Sequence, residues 1–349
     1  MARVIAVVTQ KGGVGKTTTA TNLAAAIVGQ YALRTLVLDL DPQCDATALL
    51  LGHTATAHAT IRDVLWEPRP AGQAMTPSPF HPDLLVVPGS GELAHDEKHV
   101  GPAQWDEIAQ DARQTLIGGV PADVDVVVID TPPSLGLWLH CALSAADGYV
   151  LVGEPGILSA RGMGAFLETA DRVTQHINPD LQRLGVVVNN VRPTAEDEGF
   201  VAMYTQQFGG EVLAVIPQRT AIKEAARLAT PIEFFAGAPP DAKRSYREVA
   251  ARVLDHLGVK RRARPAVTSG RSAAAAAPVG DAGFVGAGVA HPPVHPRSAA
   301  RPRSRAAAGV VPHNGSPSTG ADVRRAETPA AAPAAGAGPR PKRPRRRQS

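Results

Sequence analysis

The chain has 349 residues, with 36 Lys+Arg against 32 Asp+Glu and a formal net charge of +4. Two cysteines, Cys44 and Cys141, give no disulfide framework and suit a reducing cytosol, and no apolar run approaches the ~20 residues that a membrane-crossing helix needs. The small net charge hides a division: residues 1–263 carry 22 basic and 29 acidic side chains, whereas residues 264–349 carry 14 and 3.

In chain order, Val4-Ile5-Ala6-Val7-Val8 reads as a first strand, with no signal peptide expected ahead of it. A glycine loop follows, Gln10-Lys11-Gly12-Gly13-Val14-Gly15-Lys16-Thr17-Thr18, and opens into a helix over Thr19–Ile27. Thr35–Asp39 is the next strand, and an irregular, proline-rich stretch from about Glu67 to Pro82 leads to a third, Leu84–Pro88. Trp105, Ile108, Ala109, Ala112 and Leu116 recur three or four apart, which predicts one amphipathic helix over 103–117. Short β-branched-rich strands follow at Val124–Asp130, Tyr149–Val152, Gly185–Val188 and Val212–Ile216. A last helix is expected from about Asp241 to Leu257, with Tyr246, Val249, Ala250, Val253, Leu254 and Leu257 on one apolar stripe.

Strands alternating with helices predict an α/β domain, its parallel sheet covered on both faces. From about residue 264 the composition shifts to Ala, Gly, Pro, Ser and Arg, with Phe284 the only aromatic residue. Such a segment buries too little apolar surface to offset chain entropy. Residues 1–263 are therefore read as the folded domain and 264–349 as a disordered basic tail.

Strand, glycine loop, then helix is the context a phosphate-binding loop requires. Gly12, Gly13 and Gly15 let backbone N–H groups turn inward, and the helix N-terminus adds partial positive charge. Lys16 is expected on the β- and γ-phosphates and the Thr17 hydroxyl on Mg²⁺. The plainer alternative is a glycine turn with a solvated Lys16. Counting back five from Gly15 gives Gln10, so G-x-x-x-x-G-K-[ST] is matched only in its second half. What stands instead is Lys11-Gly12-Gly13-Val14-Gly15-Lys16-Thr17-Thr18, with a second lysine early in the loop.

That is the deviant Walker A signature, and through it the chain resembles the ParA/MinD family of dimeric ATPases, closest to ParA partition ATPases. The resemblance implies a P-loop NTPase fold, a mostly parallel twisted sheet flanked by helices, with ATP and Mg²⁺ as cofactors. It implies that Lys11 reaches across an ATP-dependent homodimer to the phosphates held by the other subunit. Leu38-Asp39-Leu40-Asp41-Pro42-Gln43 resembles the family's first switch loop. By that match Asp39 lies near Mg²⁺ and its waters, and Asp41 positions the attacking water. Ile129-Asp130-Thr131-Pro132-Pro133 resembles the second switch, with Asp130 holding Mg²⁺ through water. Asn190 and Pro217 resemble the positions beside the adenine base.

Arg192, Arg219, Lys223 and Arg227 match basic positions that touch DNA without reading sequence, although a solvated basic face is the ordinary alternative. The family implies slow hydrolysis stimulated by a ParB-like adaptor, and a cytoplasmic, nucleoid-associated protein without stable membrane association. The basic run Pro339–Arg347 is a further candidate DNA contact. ParA proteins usually follow Asp-Pro-Gln with Gly-Asn, whereas this chain has Cys44-Asp45, a stiffer switch with an added carboxylate near the phosphates. Rival readings are a positioner of non-DNA cargo, a MinD-like membrane switch, and a biosynthetic enzyme such as a cobyrinate amidase. The amidase reading requires a glutaminase domain with a nucleophilic cysteine, which the sequence does not supply.

Overall fold

Eight strands form one sheet in the computed structural model, which describes residues 1–52, 57–67 and 69–262. The expected tail lies outside the described residues. The strands are β1 (Arg3–Val8), β2 (Thr35–Asp39), β3 (Thr76–Pro77), β4 (Leu84–Val87), β5 (Val126–Asp130), β6 (Gly148–Gly153), β7 (Gln182–Val191) and β8 (Val212–Pro217). Their order is β3-β4-β2-β5-β1-β6-β7-β8. All neighbours are parallel except β3 with β4.

The helices are α1 (Lys16–Tyr31), α2 (Asp45–Leu51), α3 (Ile61–Trp66), α4 (Ala71–Ala74), α5 (Leu93–His99), α6 (Trp105–Gln110), α7 (Ala112–Ile117), α8 (Leu137–Ala145), α9 (Ile157–His176), α10 (Ala195–Phe208), α11 (Thr220–Arg227) and α12 (Pro240–His256). Successive side chains on a strand point to opposite faces, so each central strand feeds two cores. Val4, Ala6 and Val8 of β1 join Val127, Ile129, Trp138 and Phe166 on one side. Ile5 and Val7 join Val126, Val128, Leu23, Val249 and Val253 on the other. The apolar runs lack strict alternation because both faces are covered.

Helices α1 and α12 pack side by side on one face of the sheet, α1 over β1, β2 and β5 and α12 over β7 and β8. Ala20, Leu23, Ala24, Ala25, Ala26 and Ile27 are all fully buried, and the run of alanines lets neighbouring elements approach closely on every side. Asn22 Oδ1 accepts a hydrogen bond from the Ile232 N–H at 2.6 Å, fixing the segment that leads into α12. The apolar stripe expected on the last helix is the face it buries.

Two expectations are corrected. The stretch from Glu67 to Pro82 is not wholly irregular: it contains α4 and the antiparallel strand β3, where Thr76 pairs with Val86 and Pro77 with Leu85. A two-residue edge strand ending in proline has no periodicity to read, and an edge is where proline is tolerated. The single helix over 103–117 is a 3₁₀ turn (Pro102–Gln104) followed by α6 and α7. The break falls at Asp111, at φ −90° and ψ −4°. It re-aims the second segment while Ala109, Ala112 and Leu116 all stay buried.

Two features carry testable consequences. Gly185 sits at φ +148°, and a Cβ there would lie 2.4 Å from the Glu211 carbonyl oxygen and 2.5 Å from Leu213 Cγ. Gly185→Ala is expected to lower unfolding free energy by about 1–3 kcal/mol, measured by urea denaturation. His140, on α8, is 1% exposed. Its Nδ1 bonds the Gly136 carbonyl at 2.9 Å, and Arg172 Nη2 donates to its Nε2 at 2.6 Å. Burial, joined by the Arg172 charge, lowers its pKa against the Gly136 bond and Asp106. The unfolded chain therefore binds a proton that the folded chain resists, so stability falls as pH drops through the ordinary histidine value near 6.5. The melting temperature is expected to fall less between pH 7.5 and 5.5 in His140→Gln than in the wild type.

Candidate nucleotide and metal site

The carboxyl ends of parallel strands converge on one edge, where ligands of open α/β sheets bind. Strand register decides what meets there. Asp39 of β2 pairs with Asp130 of β5, and Asp130 also pairs with Val7 of β1, three residues before the glycine loop begins at Gln10.

The loop turns through two left-handed glycines, Gly13 at φ +81° and Gly15 at φ +88°. At Gly15 the requirement is also steric, because a Cβ would lie 2.2 Å from Asn189 Nδ2. That amide donates to the Val14 carbonyl at 2.7 Å and ties the end of β7 to the loop. Of the Asn189-Asn190 pair at the end of β7, it is Asn189 rather than Asn190 whose amide touches the loop.

Lys16 is the first residue of α1 and is 6% exposed. Its Nζ donates to Asp130 Oδ1 at 2.7 Å, Asp41 Oδ2 at 3.3 Å and Thr17 Oγ1 at 3.2 Å. Burial works to lower its pKa, but Asp130 and Asp41 outweigh burial and hold the ammonium above its ordinary value. It is a charged, paired lysine rather than a solvated one.

Asp39 is fully buried. Its Oδ2 accepts from the Thr47 N–H at 2.9 Å and the Thr47 hydroxyl at 2.6 Å, and its Oδ1 from the Asp41 N–H at 3.2 Å. Burial, then the charge of Asp130, pushes its carboxyl up to about 7 despite these bonds. Burial likewise pushes Asp130 up, with Lys16 pulling it back.

Asp130 and Asp41 thus share one ammonium, with Asp39 paired beside Asp130, an excess of acidic groups that a divalent cation would neutralise. Asp130 Oδ2 is buried without a hydrogen-bond partner, as an atom facing a hydrated Mg²⁺ would be, and the Thr17 hydroxyl stands beside the cluster. Thr17 and Asp130 fit the metal, while both Asp39 oxygens are already engaged within the protein. No group of three or more His, Cys, Asp or Glu among the described residues forms a metal centre by itself.

A cavity of about 370 Å³ is lined by Lys11, Gly12, Gly13, Gly15, Lys16, Thr17, Thr18, Asp41, Gln43, Asp45 and Pro133, with Thr9. A second, of about 300 Å³, shares Gly13, Gly15 and Thr18 and continues past Asn189, Asn190, Pro217, Gln218, Arg219 and Lys223. The first has the chemistry of a triphosphate and the second of a base. Asn190 is left-handed at φ +61°, and Gln218 Nε2 donates to its Oδ1 at 3.0 Å. Lys11 lines the first cavity, yet its Nζ is ion-paired with Glu154 beyond β6.

The four basic candidates divide. Arg192 pairs with Asp197 at 2.6 Å and Arg219 with Asp241 at 2.8 Å. Lys223 and Arg227 are exposed on α11 with no ion-pair partner among the described residues. Val191 pairs with Pro217, so Arg192 and Arg219 follow neighbouring strand ends, with Lys223 and Arg227 further along α11. No sequence signal marked Thr47 or Glu154, which matter only through the partners that folding brings them.

Glycine loop, paired lysine and strand-end carboxylates define a P-loop nucleoside triphosphatase. The AAA domain family AAA_31 matches residues 2–183. The chain is 32% identical over 263 residues to an uncharacterised protein of Mycobacterium tuberculosis (strain H37Rv), spanning 74% of this chain and 80% of that one. It is 33% identical over 237 residues to the chromosome partitioning protein ParA of Caulobacter vibrioides, spanning 67% and 87%. Among solved structures, cobyrinic acid a,c-diamide synthase of Mycobacterium smegmatis with bound ADP and magnesium is similar at a TM-score of 0.61 and 27% identity, over 76% of this chain and 100% of that one. The chain belongs to the ParA/MinD family of P-loop ATPases.

The Asn189 tether is directly testable. Losing one buried hydrogen bond costs about 0.5–1.5 kcal/mol, so Asn189→Ala is expected to weaken Mg-ATP binding by roughly threefold to tenfold in fluorescent-nucleotide titration.

Proposed function

We propose that this ATPase is a ParA-type partition switch, in which ATP closes a homodimer, the dimer binds DNA without sequence preference, and a ParB-like adaptor stimulates hydrolysis and release. The observation that carries this reading is the placement of Lys11. It lines the phosphate cavity while Glu154 holds its ammonium, and its own protomer already supplies Lys16 to the same space. A second lysine at that lip has a use where another subunit's nucleotide comes within reach.

Within one protomer the residues bind and orient. The glycine loop receives the phosphates, Lys16 moves from the carboxylates toward the phosphoryl group, and Asp41, so released, orients the attacking water. Bound Mg²⁺ supplies charge neutralisation of the phosphates. Asn190 and Pro217 frame the base. Lys223 and Arg227 supply DNA phosphate contacts directly, whereas Arg192 and Arg219 do so only by exchanging their carboxylate partners for phosphate.

The amidase reading meets a chemical obstacle. Burial, then nearby carboxylates, pushes the Cys44 thiol up to about 11, and burial pushes Cys141 up to about 12. Neither is a thiolate at neutral pH. No described helix is long and apolar enough to cross a membrane.

The test is binding to non-specific duplex DNA at two salt concentrations, with and without ATP and Mg²⁺. The full chain is compared with Lys11→Ala and with a chain ending at Ala263. Binding is expected to need ATP, to weaken steeply with salt, to survive truncation and to vanish in Lys11→Ala. Binding that ignores ATP and disappears with residues 264–349 would instead put non-DNA cargo or a membrane surface first.

A further inference from the structure

Four charged side chains, Lys11, Lys16, Asp41 and Asp45, line the phosphate cavity. Both lysines on its wall are engaged by carboxylates, Lys16 by Asp130 and Asp41 and Lys11 by Glu154. Asp45 is exposed on the same wall, with no ion-pair partner among the described residues. Its place along the nucleotide follows from the two cavities. Gly13, Gly15 and Thr18 belong to both, so Asp41, Gln43, Asp45 and Pro133, which line only the first, mark the end remote from the base. A triphosphate laid along the two cavities would put its outermost phosphate there.

The backbone holds Asp45 there. Cys44 is left-handed at φ +57°, its N–H donates to the Asp41 carbonyl at 2.9 Å, and its carbonyl accepts from the Ala48 N–H at 3.0 Å. The Gln43 N–H donates to Asp41 Oδ1 at 3.0 Å. Negative potential in this loop registers on the Cys44 thiol, raised first by burial and then by Asp39, Asp41 and Asp45. An acid in the first turn of a helix also favours that helix, but asparagine can open α2 without the charge.

We propose that Asp45 sets the nucleotide preference of a single protomer: its carboxylate opposes the terminal phosphate, so that Mg-ATP gains little over Mg-ADP until further positive charge enters the cavity. If that charge is Lys11 of a second protomer, Asp45 makes triphosphate retention depend on dimerisation; this last step rests on the partition-switch reading, whereas the effect on one protomer does not.

The experiment measures dissociation constants of Mg-ADP and of Mg-bound non-hydrolysable ATP analogue for the full chain, at protein concentrations where it is monomeric, in 50 and 500 mM salt. Asp45→Asn is expected to raise the triphosphate preference by roughly threefold to tenfold at low salt, with the gain shrinking at high salt and ADP binding unchanged. Asp45→Glu is expected to keep the wild-type ratio. An unchanged ratio in Asp45→Asn, or equal shifts for both nucleotides, overturns the proposal. Because the readout involves neither DNA nor Lys11, its failure is distinct from failure of the partition reading.

Discussion

The buried contact of Lys16 with Asp130 and Asp41 is the constraint on which the site depends. An unpaired charge at this depth is strongly destabilising, so the lysine cannot be removed without leaving carboxylates exposed to each other's field. On the proposed reading, Lys16 would pass from carboxylate to phosphate, and Asp130 and Asp41, so freed, would hold a hydrated divalent cation. An exchange of this kind keeps every buried charge compensated in both states.

The sheet makes that contact possible. Placing β5 between β2 and β1 brings Asp39, Asp130 and the glycine loop to one edge in register. A slip of one residue would turn each strand's side chains to the opposite face and carry Asp130 into the apolar layer. The long buried runs on β1, β2 and β5 pin the register, so the same residues that build the core also aim the chemistry.

Much of this was legible in the sequence because it is local. The glycine loop, the strand-end aspartates and the strands themselves are short patterns whose meaning does not depend on distant residues. The misses have the opposite character. The edge strand β3 exists only because β4 offers it hydrogen bonds. The break at Asp111 follows from packing rather than from the apolar spacing, which was correctly read. Asn189, Thr47 and Glu154 draw their roles from Val14, Asp39 and Lys11, more than a hundred residues away for Asn189 and Glu154. The four basic residues were found by spacing, but the carboxylates that neutralise Arg192 and Arg219 were not.

Helix α1 has a further consequence. Closed in on every side by alanine contacts and held to Ile232 through Asn22, it behaves as an anvil rather than a lever: it has no free face along which to slide or tilt. On the partition-switch reading, a report of which nucleotide is bound would travel through the loops after β2 and β5, which carry the carboxylates, rather than along the helix whose first turn lines the phosphate cavity.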